Sequence, residues 1–171
     1  YSANQILLCG ESAGGRLIYA LCLKLKEQKL PLPCGLIGIS PWTDLTQSGK
    51  TFEENRDNDP SLSKELLDFY AACYTEEPKN PFCSPLYGDL SGFPPSLLFA
   101  GGDEILLGDA QRLHQKLLDA GCKSTLHIAP ERWHAYVLYC LAETMQDDFE
   151  SINHFLDKTL SPAKSLRWMR L

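Results

Sequence analysis

Four short apolar runs, each closed by small or turn-forming residues, set the architecture this chain can adopt. They read "QILLCG" at 5–10, "GLIGIS" at 35–40, "PSLLFAGG" at 95–102 and "STLHIAP" at 124–130. Runs this short with little polar alternation fit strands buried on both faces, the kind that make parallel sheets. The stretches between them carry helical period. Over 13–27, Leu17, Ala20, Leu21 and Leu25 recur at three and four residues against Arg16, Lys24 and Glu27, which predicts an amphipathic helix with the leucines inward. Between the last two strands, Asp109 can cap a helix carrying Ala110, Leu113, Leu117 and Leu118 and stopped by Gly121. A final helix is expected over 144–158, with Phe149, Ile152, Phe155 and Leu156 facing the core. Strands and helices in this rhythm predict an α/β fold of about four parallel strands with crossover helices. Right-handed crossovers would place the connecting helices on one face and leave the terminal helix to cover the other.

The rhythm breaks between residues 41 and 93, a stretch rich in Pro, Asp and Asn with one helical patch at 61–74. Connections that long are usually functional covers, so 43–93 is read as a lid-like insertion in a single domain spanning 1–171. Trp42, Phe69, Tyr70 and Tyr74 are candidate linings of an apolar pocket, with ordinary core packing as the competing reading. A chain of 171 residues that is 44% hydrophobic can bury a sizeable core. Its net charge of −6, with no Lys/Arg cluster, gives no attraction for nucleic acid. Seven scattered cysteines, odd in number and without metal-ligand spacing, read as reduced thiols, so a cytoplasmic location and no metal are expected. No apolar run approaches 18 residues and there is no leader, so no membrane span or export is expected. The absence of an initiator Met points to a piece of something longer.

The chemistry centres on "LLCGESAGG". A strand runs into Gly10-Glu11-Ser12-Ala13-Gly14 and a helix leaves it, the strand-turn-helix setting of a nucleophile elbow. Gly10 and Gly14 would relieve crowding in the turn. The helix N-terminus would aim its free N–H groups at a forming oxyanion, with the backbone N–H of Ala13 as the donor. The plainer alternative makes Ser12 a helix cap in a glycine-rich turn. A serine nucleophile needs a base on a neighbouring loop. His114, His127 and His154 fall within helix or strand; His134, in "ERWHAY" after the fourth strand, falls on a loop at the sheet edge that also carries Ser12. The acid that holds the base is expected at Asp103, directly after the third strand, with Glu104 next to it and Asp44, after the second strand, as the competitor.

The segments "LLCGESAGG", "SPWTDLT", "SPLYGDLSGFPPSLLFAGGDEILLGDAQRLHQKLLDAG" and "ERWHAY" together resemble the C-terminal half of α/β-hydrolase esterases of the hormone-sensitive-lipase-like group. The resemblance covers nearly the whole chain. It implies Ser12 as nucleophile, Asp103 as acid and His134 as base, and hydrolysis of short-chain acyl esters without metal or cofactor. Glu11 stands where many members carry Asp, and Arg132 where an apolar residue is common. The family's His-Gly-Gly segment, which precedes the nucleophile and supplies further oxyanion donors, has no counterpart in this chain. Three functions are therefore weighed: a serine carboxylesterase, an amide or formamide hydrolase on the same scaffold, and a catalytically silent half-domain that self-associates or binds a partner. A small acyl ester is the expected substrate. The bare edge of the first strand is expected to pair with a second copy or with a missing N-terminal half.

Overall fold

The computed structural model describes residues 1–139 and 146–160. Strands β1 (Leu7–Glu11), β2 (Gly35–Ile39), β3 (Ser96–Gly101) and β4 (Ser124–Ala129) form one sheet whose spatial order repeats the chain order, every pair parallel. Leu7 stands opposite Gly35, Leu36 opposite Ser96 and Ser96 opposite Ser124, so the C-terminal ends of the strands share one edge. β2 and β3 are buried along their whole length. β1 flanks the sheet, with Cys9 exposed and its other residues half-buried, so in this chain it is not covered on both faces as its apolar run predicts.

The two faces close as the crossover rule requires. α1 (Ser12–Glu27) and α4 (Leu107–Asp119) lie on one, where Ile18, Tyr19, Cys22, Leu23, Leu113 and Leu117 pack against Leu36 and Leu98. On the other, Ile37, Ile39, Leu97 and Phe99 are covered by the 3-10 turn Tyr136–Tyr139 and by α5 (Gln146–Thr159), through Ile152, Phe155 and Leu156. Phe149, expected inward, is exposed. The start of that helix predicted at Thr144 and Met145 lies outside the described residues, as does Cys140.

α1 presents a different stripe from the one its leucines predict. Leu17 and Leu21 are exposed, while Arg16 is buried. The Arg16 guanidinium donates to the Cys83 carbonyl at 3.0 Å and lies 4.2 Å from the centre of the Tyr74 ring, so its charge is answered inside the protein. The apolar contact falls instead to Ile18, Tyr19, Cys22 and Leu23, which share the sheet-facing side. Asp109 likewise departs from its predicted role. It sits inside α4 rather than capping it, and its Oδ2 accepts the backbone N–H groups of Thr43 and Asp44 at 2.8 and 2.9 Å. Arg112 bridges the pair, to Asp109 Oδ1 at 2.7 Å and to Asp44 Oδ2 at 3.0 Å. Gly121 closes α4 with φ +74°, as expected of a residue past a helix C-cap.

The long connection after β2 folds on its own small core. α2 (Thr51–Glu54) and α3 (Lys64–Tyr74) bring Phe52, Leu67 and Ala71 against Trp42, Leu45, Ile105 and Leu106. α3 begins where Ser63 Oγ accepts the Leu66 N–H at 3.2 Å. Trp42 is thus core, whereas Phe69, Tyr70 and Tyr74 face outward.

Candidate active site

Where β1 becomes α1 the backbone makes an unfavourable turn. Ser12 has φ +51°, a left-handed conformation that costs an L-residue roughly 1–2 kcal/mol and is held only by its surroundings. Those surroundings are close backbone contacts. A Cβ on Gly10 would lie 2.3 Å from the Gly14 carbonyl oxygen, and one on Gly15 would lie 2.8 Å from Pro41 Cβ. Gly14, expected to share the crowding, has open space where a side chain would go, so the second required glycine is Gly15. The Ser12 carbonyl accepts the Trp42 N–H at 3.1 Å, tying the elbow to the loop after β2. Ala13 follows in the first turn of α1, half-buried against the small core of the insertion.

Ser40 and Ala135, also left-handed, stand at the same edge. Ser40, one residue past β2, has φ +46°, and Ala135, next to His134, has φ +57°. They are joined, since the Ala135 N–H donates to Ser40 Oγ at 3.0 Å. This bond fixes the loop that carries His134, whose ring is buried.

The acid beside His134 is Glu104. Its Oε2 lies 3.2 Å from His134 Nδ1, and a carboxylate can only accept, so Nδ1 carries the hydrogen. Asp103, the sequence expectation, is not brought to His134: among the described residues its carboxylate makes no hydrogen bond. The reason is the turn that ends β3. The Gly102 N–H goes to the Ala129 carbonyl at 2.8 Å and the Asp103 N–H to the Arg132 carbonyl at 2.9 Å, prolonging the pairing with the strand beside it. Asp103 is left half-buried, and the next side chain, Glu104, enters the interior with no solvent exposure. Asp44 takes no part either. It is buried at the centre of its own network, accepting from Thr46, Ser48, Tyr87 and Arg112. Burial opposes its charge, but the hydroxyls of Ser48 and Thr46, with Arg112 behind them, hold its carboxyl down at about 2.

On the other side of the imidazole, Nε2 lies 3.2 Å from Glu11 Oε1, so the residue preceding Ser12 touches the ring. Burial alone would lower the His134 pKa. The hydrogen bond and charge of Glu104, then the charges of Glu11 and Asp59, outweigh that and raise it above the ordinary histidine value. Burial pushes the Glu104 carboxyl upward, against the pull of His134 and of the Ser40 hydroxyl. Asp59 is anchored nearby, its Oδ2 accepting the Ile105 N–H at 2.9 Å. Glu11, Ser40 and Asp59 carry no signal in their local sequence beyond the position of the first two at strand ends.

The other histidines stand apart from these contacts. His127 stacks on Phe99 with ring centres 5.2 Å apart, His114 Nδ1 pairs with Ser124 Oγ at 2.8 Å, and His154 lies exposed on α5. Among the described residues, no three of His, Cys, Asp and Glu are gathered as a metal would need. Two open clefts of about 430 and 550 Å³ lie elsewhere. One is lined by Leu23, Phe82 and Tyr87, the other by Ser96, Cys122 and Phe155.

A strained serine at a strand-to-helix elbow and a carboxylate-bound histidine on the same sheet edge are features of one large fold family. The model of the alpha/beta hydrolase fold matches residues 1–138. The chain is 36% identical over 139 residues to an esterase of Acinetobacter venetianus, covering 80% of this chain and 46% of that protein. It is 35% identical over 138 residues to an acetyl-hydrolase of Streptomyces hygroscopicus, again covering 80% and 46%. A crystal structure of an esterase from the bacterial hormone-sensitive lipase family superposes with a TM-score of 0.90 at 35% identity, covering 94% of this chain and 55% of that one. The chain belongs to the α/β-hydrolase family, on its hormone-sensitive-lipase-like branch. It spans about half the length of these relatives.

Proposed function

We propose that this chain carries the catalytic half of a serine carboxylesterase, in which Ser12 is the nucleophile, His134 the base and Glu104 the acid. The observation that carries the reading is His134, held at Nδ1 by buried Glu104 and reaching at Nε2 the residue that precedes the strained Ser12. The similarity to proteins named esterase and acetyl-hydrolase supports the reaction class.

The chemistry follows from these groups. Ser12 Oγ attacks the ester carbonyl as His134 Nε2 takes its proton. Glu104, accepting from Nδ1–H, fixes the tautomer and stabilises the imidazolium. The backbone N–H of Ala13, at the positive end of α1, donates to the oxyanion. Collapse expels the alcohol, which takes the proton from His134 and leaves an acyl-serine for water to hydrolyse by the same steps in reverse. Short acyl chains are the expected substrates, with the 43–93 insertion bounding their site and no metal or cofactor taking part. A fluorophosphonate needs only an activated serine. Covalent labelling of the chain that disappears in Ser12→Ala supports the reading, and labelling that survives in that variant or never occurs refutes it.

A further inference from the structure

The triad reading leaves Glu11 unused, although its carboxylate lies against the nitrogen that must serve Ser12. A carboxylate offers only lone pairs, so 3.2 Å from Nε2 is a favourable distance only when that nitrogen bears a hydrogen. Nδ1 already carries one toward Glu104. With both nitrogens facing carboxylates, the arrangement is that of an imidazolium, and an imidazolium cannot take a proton from serine. Building on the esterase reading, we propose that Glu11 latches the His134 base: it pairs with protonated Nε2, keeps that nitrogen from Ser12, and releases it when His134 loses its proton. The elbow residue thereby sets how far into acid the site can work.

The groups around the ring divide the work. Glu104, from the turn after β3, is fully buried and serves Nδ1 in either state. Asp59, from the segment before α3, acts by charge alone, its oxygens being taken by Ile105, Ser61 and Leu62. Asp103 bonds to the histidine loop through its backbone N–H, and among the described residues its carboxylate makes no hydrogen bond. Glu11 is the acidic group at Nε2, and its side chain is 38% exposed, so it can turn to water when the ring becomes neutral. Unlatching breaks one N–H bond, at Nε2, and the proton goes to solvent. Glu11 is a positioning residue, acting through His134.

The test follows the His134 ring nitrogens by nitrogen-15 NMR against pH in the 171-residue chain, in the parent, Glu11→Gln and Glu11→Asp. An opposite charge at contact distance shifts a pKa by roughly one unit or more, so Glu11→Gln should lower the midpoint by about one unit. That is a tenfold change in proton affinity, and Glu11→Asp, which keeps the charge, should recover part of it. Fluorophosphonate labelling of Ser12 should extend toward acid by the same interval. Salt gives a second measurement that needs no variant: at about 1 M, where exposed charges are screened, the parent midpoint should fall toward that of Glu11→Gln. Coincident midpoints in parent and Glu11→Gln, or a parent midpoint indifferent to salt, overturn the latch. A midpoint that moves as expected while Ser12 never labels keeps the Glu11–His134 pairing and strikes the esterase reading instead.

Discussion

Glu104→Gln separates the acid named by geometry from the one named by sequence order. At an effective dielectric near 20, two unit charges about 4 Å apart gain about 4 kcal/mol, which approximates what the Glu104 carboxylate offers the imidazolium formed during attack. The amide still offers an oxygen to Nδ1–H, and a neutral hydrogen bond retains about 1 kcal/mol of this. The net loss of about 3 kcal/mol corresponds to roughly a two-hundredfold slower reaction. Asp103→Asn removes a half-buried carboxylate that bonds nothing among the described residues, and screened charges of that kind are worth less than about 1 kcal/mol, under about fivefold. Rates of fluorophosphonate labelling and of short-chain ester hydrolysis read both variants. Urea unfolding guards against collapse: because burial disfavours the Glu104 charge, its amide should unfold within about 1 kcal/mol of the parent. A large rate loss in Asp103→Asn with Glu104→Gln near normal would refute the assignment.

The elbow glycines should answer unequally to alanine: Gly10→Ala, with no room for its Cβ, should abolish Ser12 labelling, while Gly14→Ala should label within a few-fold of the parent. Equal effects would mean the turn is not held by the contact between Gly10 and the Gly14 carbonyl. Asp44, depressed to about 2, contributes stability that is present above its ordinary value of 3.8 and lost as pH falls toward 2. Asp44→Asn should therefore remove about one proton from the slope of unfolding free energy against pH across that window, and an unchanged slope in acid urea titrations would contradict its network. The outer edge of β1, which no strand among the described residues pairs, should drive association of the isolated chain, since apolar surface returns about 25 cal/mol per Å² when taken from water. Light scattering from a stable, monodisperse monomer would count against it.

The strands and the helices between them could be read from sequence because burial in a parallel sheet demands unbroken apolar runs, and β2, β3 and β4 end within a residue or so of the turn signals that close them. That Ser12 and His134 stand at one sheet edge was legible because each follows a strand. The carboxylate beside His134 was not, because Asp103 and Glu104 occupy adjacent positions and only the hydrogen bonds of Gly102 to the end of β4 and of Asp103 to the histidine loop decide which side chain enters the core. The face of α1 was misread because leucine spacing outweighed Tyr19 and Cys22, and nothing in the period shows that Arg16 has a carbonyl and a ring waiting for it. Asp109 looked like a cap for the same reason: its partners, Thr43 and Asp44, come from a loop more than sixty residues earlier.

The sheet order bears on how the protein is made. Because β2, β3 and β4 each pair with the strand made just before them, these four strands can be laid down in order as the ribosome delivers them. The elbow serine emerges with the first of these strands and the histidine only after the last. At roughly 5–20 residues per second, translation separates them by on the order of ten seconds. On the esterase reading, a nascent chain therefore holds Ser12 without its histidine throughout that interval, and the pair meets only after β4 has been made.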